Sequence, residues 1–160
     1  MAVDMFMKLD GIKGESRDKT HGGEIDVLAW SWGLSNSGTF HTGGGGGAGK
    51  ANVQDLSFTK YVDAGSADLQ LSCANGKHIA KGTLVVRKAG EDPLEYIIIE
   101  LSKILVSSVS TGGSGGEDRL TENVTLNFEE VHFTYWTQGE KGSKGESSEY
   151  KYNIAENVKK

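Results

Sequence analysis

A pair of long apolar segments joined by a glycine-rich turn constrains the fold more than any other part of the sequence. The segments are residues 94–110 and 120–136, and the turn between them is TGGSGGEDR. The first segment is β-branched and nearly continuous in its apolar residues, as in a core strand. In the second, apolar and polar residues alternate up to Phe128, which is the period of a half-buried strand. Together they predict a long hairpin around which a small barrel or sandwich closes.

The second segment also predicts a bend in this hairpin. After Phe128 the apolar positions shift by one residue, to Val131, Phe133 and Tyr135. A β-bulge keeps a buried face directed at the core across such a shift and bends the strand. We therefore expect a bulge at residues 129–130.

Shorter strand patterns and one helix surround the hairpin. Strands are expected at residues 5–9, 25–32, 53–62, 81–88 and 150–158, with a polar loop at 139–149. Ser66 has the position of an N-cap for a helix over residues 67–75, which Gly76 would close. The sequence therefore predicts a single mainly-β domain over residues 1–160, with many strands and few helices.

The strand at residues 25–32 has two distinct faces. Leu28, Trp30 and Trp32 fall on one of them. Burying each large apolar side chain contributes roughly 1.5–3 kcal/mol, so this face is expected to lie in the core. Alternation along the strand then places Ser31 on the opposite face, away from the core.

Composition limits the possible functions. The net charge is −5 and no basic stripe offsets it, so no nucleic-acid partner is expected. The first residues lack the positive and apolar regions of a secretory signal. No apolar run approaches the roughly 18 residues of a membrane span, so no direct membrane insertion is expected. The single cysteine, Cys73, rules out an intrachain disulfide and is expected to be a small buried residue.

Two glycine clusters match patterns known from enzymes, and neither has the required context. GGGGAGK at residues 44–50 fits the start of a phosphate-binding loop, but Ala51 replaces the Mg²⁺-binding hydroxyl and a strand pattern follows instead of a helix. GGSGG around Ser114 fits a nucleophile elbow, but a strand follows it and only His132 lies downstream. We therefore expect neither nucleotide binding nor hydrolase activity.

The remaining polar residues predict no metal centre and no catalytic pair. Histidines 21, 41, 78 and 132 are far apart and have no ligand spacing. Glu129 and Glu130 are adjacent, so in a regular strand their carboxylates point to opposite faces. The sequence therefore predicts no cofactor and no enzymatic activity.

Several segments taken together closely resemble the haemolysin-coregulated protein (Hcp) family of bacterial type VI secretion systems. They are MAVDMF at residues 1–6, GESRDKTH at 14–21, EIDVLAWSWG at 24–33, VQDLSFTKY at 53–61 and SSVSTGGSGGE at 107–117. The resemblance covers essentially the whole chain. Residues 139–149 fit it least well, and Tyr152 stands where the family pattern leads us to expect tryptophan.

The resemblance implies a fold and an assembly. By resemblance to the family, the chain is expected to fold as a compact β-barrel of two packed antiparallel sheets with one short helix and an extended glycine-rich loop. Family members form homo-hexameric rings that stack into a tube, which a contractile sheath propels out of the cell behind a spike protein. The lumen also carries small secreted effectors. By resemblance, the protein resides in the bacterial cytoplasm before assembly and is then secreted without a signal peptide.

The resemblance also assigns roles to two parts of this chain. Ser31 is the candidate residue of the lumen and of effector contact. The extended loop is expected to contact the neighbouring ring, and its candidate stacking residues are Phe40, His41, Thr42, Gly43, Gly44, Gly45, Gly46, Gly47, Ala48, Gly49 and Lys50. The alternative interpretation is a monomeric ligand-binding β-barrel without tube assembly, which native mass would distinguish from a ring.

Overall fold

Antiparallel strands make up most of the chain. The structure is a computed structural model that describes residues 3–38, 40–42, 49–90, 93–139 and 143–160. Its helices are α1 (Ser66–Asn75) and a short 3-10 helix (Phe40–Thr42). Its strands are β1 (Val3–Leu9), β2 (Ile25–Ser31), β3 (Leu34–Ser35), β4 (Asn52–Val53), β5 (Leu56–Tyr61), β6 (His78–Lys88), β7 (Glu95–Gly112), β8 (Thr121–Gln138), β9 (Lys144–Asn153) and β10 (Val158–Lys159).

Six of these strands close into a barrel. The order is β8-β5-β2-β1-β6-β7, and pairing of β7 with β8 completes the circle. Strands β9 and β10 extend the sheet from β8 on the outside of the barrel, and β3 pairs with β4 at the base of the glycine-rich loop. The predicted class, a mainly-β barrel with one short helix, is confirmed.

The predicted central hairpin is present as β7 and β8, each of 18 residues. They pair from Gly112 opposite Thr121 to Ile97 opposite Tyr135. One stretch of β8 pairs with β5 on its other edge, and the following stretch pairs with β9. The hairpin therefore supplies one wall of the barrel and also the strand on which the outer extension is built.

The bulge predicted at residues 129–130 is wrong. Pairing with β7 runs without a register shift from Glu130 to Phe128, and the shift lies elsewhere, between Val106 and Ser108. Both strands instead change their buried phase at the same level, where Lys103 of β7 has a left-handed backbone with φ of 53°. Its ammonium contacts the carboxylate of Glu129 on β8 at 2.8 Å. A matched change in both strands requires no extra residue in either one.

The expected core face of β2 is wrong for Leu28. Ile25 and Val27 are buried, whereas Leu28 is 39% exposed. Pairing with β5 shifts by one residue between Val27 and Ala29, so that Leu28 has no partner in the register. This irregularity reverses the alternation. Trp30, which follows it, packs against the core as predicted.

The helix is confirmed with a different beginning. Gly65 occupies the N-cap position and Ser66 is the first helical residue, so the predicted N-cap is wrong. The Ser66 hydroxyl instead accepts a hydrogen bond from the Asp63 amide. Gly76 ends the helix with φ of 69°, a left-handed conformation that glycine adopts without a steric penalty. Cys73, expected to be buried, is only half-buried.

Two further boundaries differ from the sequence analysis. The strand predicted at residues 53–62 is divided into β4 and β5. Strand β9 begins at Lys144, inside the predicted loop at 139–149, because its polar residues pair with the apolar β8 and leave one face in solvent. A strand with so few apolar residues gives no periodic signal of its own.

Candidate assembly surface

A polar, uncharged surface covers the outside of four adjacent barrel strands. Two rows of directly paired residues cross β2, β5, β8 and β7. The first row consists of Ser31, Ser57, Thr125 and Ser108, and the second of Ala29, Thr59, Asn123 and Ser110. All of these side chains are small and at least partly exposed to solvent. We call this surface the hydroxyl wall.

Hydrogen bonds between neighbouring strands hold the hydroxyl wall in place. The Thr59 hydroxyl donates to the Asn123 amide oxygen at 2.6 Å, and the Ser108 and Thr125 hydroxyl oxygens are 2.7 Å apart. At one end of the wall, Asp55 accepts hydrogen bonds from the Ser107 hydroxyl and the Asn127 amide. Cross-strand pairs of this kind stabilise a sheet and fix the rotamers of its exposed side chains.

The two charged residues of these strands nearest the wall point away from it. Lys60 of β5 and Glu122 of β8 lie directly opposite each other and face the barrel interior, where both are buried. The Lys60 ammonium is 2.5 Å from the Glu122 carboxylate and 2.9 Å from that of Asp63. A second carboxylate oxygen of Glu122 accepts a hydrogen bond from Thr111 at 3.0 Å. The Lys60 charge is therefore balanced inside the barrel, where two carboxylates face one ammonium.

The environment of Glu122 keeps it ionised. Burial raises the pKa of this carboxyl, but hydrogen bonds from Lys60 and Ser66, together with the Lys60 charge, outweigh burial and leave the pKa lowered. Sequence analysis did not identify this pair. Lys60 and Glu122 are nevertheless in phase with the buried Phe58 and Val124 on their own strands. The available signal was their spacing, because each of them lies two positions from an apolar core residue of its own strand.

The hydroxyl wall has an open strand edge on each side. Pairing of β1 with β2 is limited to Met7 with Ile25 and Phe6 with Asp26, so the rest of β2 has no ladder partner on that side among the described residues. Pairing of β6 with β7 ends at Leu105, and the part of β7 that follows is open in the same way. An open edge exposes backbone donors and acceptors that another strand can bind.

The predicted site residues occupy different parts of this arrangement. Ser31 is exposed at the edge of the hydroxyl wall. In the predicted stacking loop, Phe40 is 84% exposed and Lys50 is exposed, while residues 43–48 lie outside the described part of the chain. Ser31, the candidate lumen residue, is the last residue of β2, and the loop follows it in the chain after β3.

A second polar cluster ties the loop before β2 to the barrel. His21 is buried, its ring stacks on Phe6, and its two ring nitrogens contact the carboxylates of Glu24 at 2.9 Å and Glu95 at 2.6 Å. Burial lowers the pKa of His21, but the hydrogen bonds to Glu95 and Glu24 raise it by more, and the net pKa is raised. This contact joins two segments that are remote in sequence.

Arg87 connects the same loop to the first strand. Its guanidinium binds the Asp18 carboxylate and lies 5.0 Å from the centroid of the Phe6 ring. The hydrogen bond from Arg87 is the largest cause of the lowered pKa of Asp18, which is about 2. In this cluster each basic side chain contacts two carboxylates, and these contacts hold the loop against the barrel.

The enzyme-like patterns lack their structural context. Strand β4 follows Lys50 closely, where a phosphate-binding loop would need a helix. Ser114 lies in the turn between β7 and β8, with a strand on each side. Within the described ranges, no group of three or more histidine, cysteine or acidic residues is placed to hold a metal ion. Among those residues, no helix is long and apolar enough to cross a membrane.

Comparison with known proteins decides the family. The family model described as "Type VI secretion system effector, Hcp" matches residues 6–135, most of the chain. The chain belongs to the Hcp family. Protein hcp1 of Pseudomonas aeruginosa is 62% identical over 160 residues, which cover 99% of both chains.

Solved structures agree with this Hcp assignment. Hcp1 from Salmonella typhimurium is 39% identical with a TM-score of 0.84, and the match covers 100% of both chains. A type VI secretion system effector from Yersinia pestis is 34% identical with a TM-score of 0.77, covering 94% of this chain and 100% of that one. A structure described as a type six secretion system protein has a TM-score of 0.93 at 31% identity, covering 99% and 100%. The protein is thus a type VI secretion protein of the Hcp family, which is not a known enzyme family.

Proposed function

We propose that this Hcp protein is the structural subunit of the inner tube of a type VI secretion system. Six copies form a ring, rings stack into a tube, and the tube is exported with small effectors in its lumen. The observation that carries the proposal is the hydroxyl wall with an open strand edge on each side.

Strand direction supports closure of a ring through these edges. Each neighbouring pair in the series β7-β8-β5-β2 is antiparallel, so β2 and β7 run in opposite directions. When β2 of one copy lies beside β7 of the next, antiparallel pairing continues across the contact. The two edges are different surfaces, so the contact is heterologous, and a heterologous contact that closes produces a ring.

The same pairing places the hydroxyl walls of all copies side by side. We assign them to the lumen because their side chains are short and uncharged, and all but Ala29 are polar, as suits brief contact with different cargoes. Ser31 lies at the β2 edge of the wall, next to the proposed subunit contact. Effectors are therefore expected to touch Ser31 and its row in every subunit.

The remaining partners follow from the proposed place in the secretion machine. The tube would lie within a contractile sheath and beneath a spike protein, after synthesis in the bacterial cytoplasm and before secretion. No catalytic step is proposed for the chain itself. Calorimetry with ATP is expected to show no saturable binding, and the Lys50→Ala variant is expected to give the same trace as the wild type.

Native mass spectrometry and electron microscopy of the purified protein test the assembly. The expected result at micromolar concentration is a mass about six times that of the chain and annular particles that stack end to end. A purely monomeric mass in near-physiological buffer contradicts the ring and leaves the monomeric ligand-binding barrel as the better description.

A further inference from the structure

The extended loop and the turn of the central hairpin leave the hydroxyl wall at opposite ends. Ser31, the last residue of β2, pairs with Ser57 near the start of β5, so the chain leaves the wall for the extended loop at this end and returns to it there. At the other end Tyr61 pairs with Thr121, which also pairs with Gly112. The hairpin turn that follows Gly112 therefore projects in the opposite direction along the wall.

The extended loop presents a basic and an apolar group. Lys50 and His41 are its only charged or titratable residues between positions 33 and 54. Lys50 is exposed and has no ion pair among the described residues. Phe40 is 84% exposed, the largest exposed fraction of any large apolar side chain that the structure describes. An aromatic side chain held in water gains stability when a partner covers it.

The hairpin turn presents acidic groups. Glu117 and Asp118 are exposed and form no ion pair among the described residues. The one cation of the turn, Arg119, is directed back to the barrel, with its guanidinium carbon 3.7 Å from the centroid of the Tyr61 ring. The outer part of the turn therefore has an acidic character.

An apolar patch lies at the base of the same turn. Leu120 is 44% exposed and Val62 is 38% exposed. The Val62 amide donates a hydrogen bond to the Leu120 carbonyl at 2.9 Å, which holds the two side chains at neighbouring positions. The hairpin end thus has an acidic and an apolar group, which complement those of the loop.

We infer that the loop of one copy docks on the hairpin end of a copy in the next ring. Lys50 lies against Glu117 and Asp118, and Phe40 covers the patch of Leu120 and Val62. The inference rests on the proposed stacking of rings and names the surface that receives the loop. Because the two surfaces lie at opposite ends of the chain, the contact repeats head to tail and the stack stays open at both ends. Complementary charges then fix which ends meet.

Charge reversal on each surface tests the inference. In Lys50→Glu rings, an acidic loop meets an acidic hairpin turn, whereas in Glu117→Lys/Asp118→Lys rings a basic loop meets a basic turn. Each variant alone should form rings and roughly tenfold fewer tubes than the wild type, since like charges oppose each other at every subunit. An equimolar mixture restores both attractive pairings. Tubes should therefore return on mixing, as seen by electron microscopy and sedimentation.

The Lys81→Glu variant is the matched control, because Lys81 is exposed on β6, away from both surfaces. It should stack like the wild type. Variants that stack normally on their own, or a mixture that fails to stack although its rings are intact, overturn the inference and leave the proposed tube standing. Absence of rings or tubes in the wild type overturns the proposed function itself.

Discussion

At Ser31, a single substitution separates folding from transport. The side chain is exposed on the hydroxyl wall, so Ser31→Arg should leave the barrel and the ring intact. In the proposed lumen it introduces six bulky charges at one level of the channel. We expect effector binding and effector accumulation in cells to fall roughly tenfold or more, since an unpaired charge opposes contact with most surfaces. Native mass and a pull-down of a co-expressed effector measure the two properties separately.

The Ser31→Ala variant is the control for this experiment, because it removes the hydroxyl and adds no bulk or charge. It should retain most of the effector binding. If Ser31→Arg unfolds the chain, the exposed position of Ser31 is wrong; if rings form and cargo binding is unchanged, the lumen is elsewhere.

Lys60 and Glu122 are each expected to be indispensable alone, and replacing both together is expected to be less costly than replacing Lys60 alone. The Lys60→Met change leaves the carboxylates of Glu122 and Asp63 without their cation inside the barrel. Breaking such a buried pair typically costs about 3–5 kcal/mol of unfolding free energy. Urea unfolding followed by intrinsic fluorescence measures this loss.

The double variant Lys60→Met/Glu122→Leu is the test of the mechanism. It removes the charges of Lys60 and Glu122 and fills the space with apolar atoms, so part of the lost stability should return, while the Asp63 carboxylate stays without its cation. If the double variant is as unstable as Lys60→Met, packing around Lys60 and not its charge determines the loss.

His21 gives the folded state a pH dependence of known sign. Its pKa is raised above 6.5 in the folded chain, so the stabilisation is fully present below the unfolded value and is lost as pH rises through the folded pKa. We expect the difference in Tm between the wild type and His21→Gln to be larger at about pH 6 than at about pH 9. A difference that grows towards high pH would falsify the contact with Glu24 and Glu95 as a charged one.

Among the elements, β2 carries the most direct test of the ring contact. Leu28 is exposed at the register shift of β2, beside its open edge, and Val158 is exposed on β10, at the outer end of the sheet. Leu28→Asp should weaken ring association about tenfold or more, because a carboxylate is desolvated in the contact. Val158→Asp should leave rings unchanged. Analytical ultracentrifugation over a concentration series compares them, and equal effects of both changes would contradict the edge contact.

The elements also show where sequence patterns succeed. The alternation in β8 and the continuous apolar run in β7 predicted the central hairpin, because each pattern extends over many residues with one buried face. The alternation in β2 predicted the wrong face for Leu28, because one residue without a cross-strand partner reverses the buried and exposed faces of the strand. Such a residue has no signature in the amino-acid sequence. The start of β9 was missed for another reason. Its pairing with β8 is a tertiary contact, and its own residues are polar.

The candidate site could be predicted only at single positions. Strand alternation placed Ser31 outside the core, and the structure agrees with that placement. Ser57, Thr125 and Ser108 become part of the same row only through cross-strand register, which depends on which strands pair and in what alignment. Residues distant in sequence form one surface, and no local pattern contains that information.

For the whole molecule, loop length should separate rings from tubes. Strands β3 and β4, which flank the extended loop, pair with each other and are not part of the eight-stranded sheet. Deleting residues 43–48 should therefore keep the six-fold mass and reduce tube length by roughly tenfold or more, because heterologous stacking needs the loop. A matched deletion of residues 115–116 in the hairpin turn should also spare the rings. Loss of rings in the first variant would show that the loop belongs to the contact within a ring.

The inward orientation of Lys60 and Glu122 has a consequence for movement through the proposed tube. A fixed charge on the wall would recur in every subunit and every ring, and it would create a periodic series of electrostatic wells along the axis. A passenger of opposite sign would pause in each well, and one of like sign would be expelled at the entrance. With Lys60 and Glu122 directed into the barrel wall, the eight residues of the hydroxyl wall add no such wells. Along this stretch friction with the surrounding water sets how fast a passenger travels, and the sign of its charge matters at the end of the wall where the Asp55 carboxylate lies.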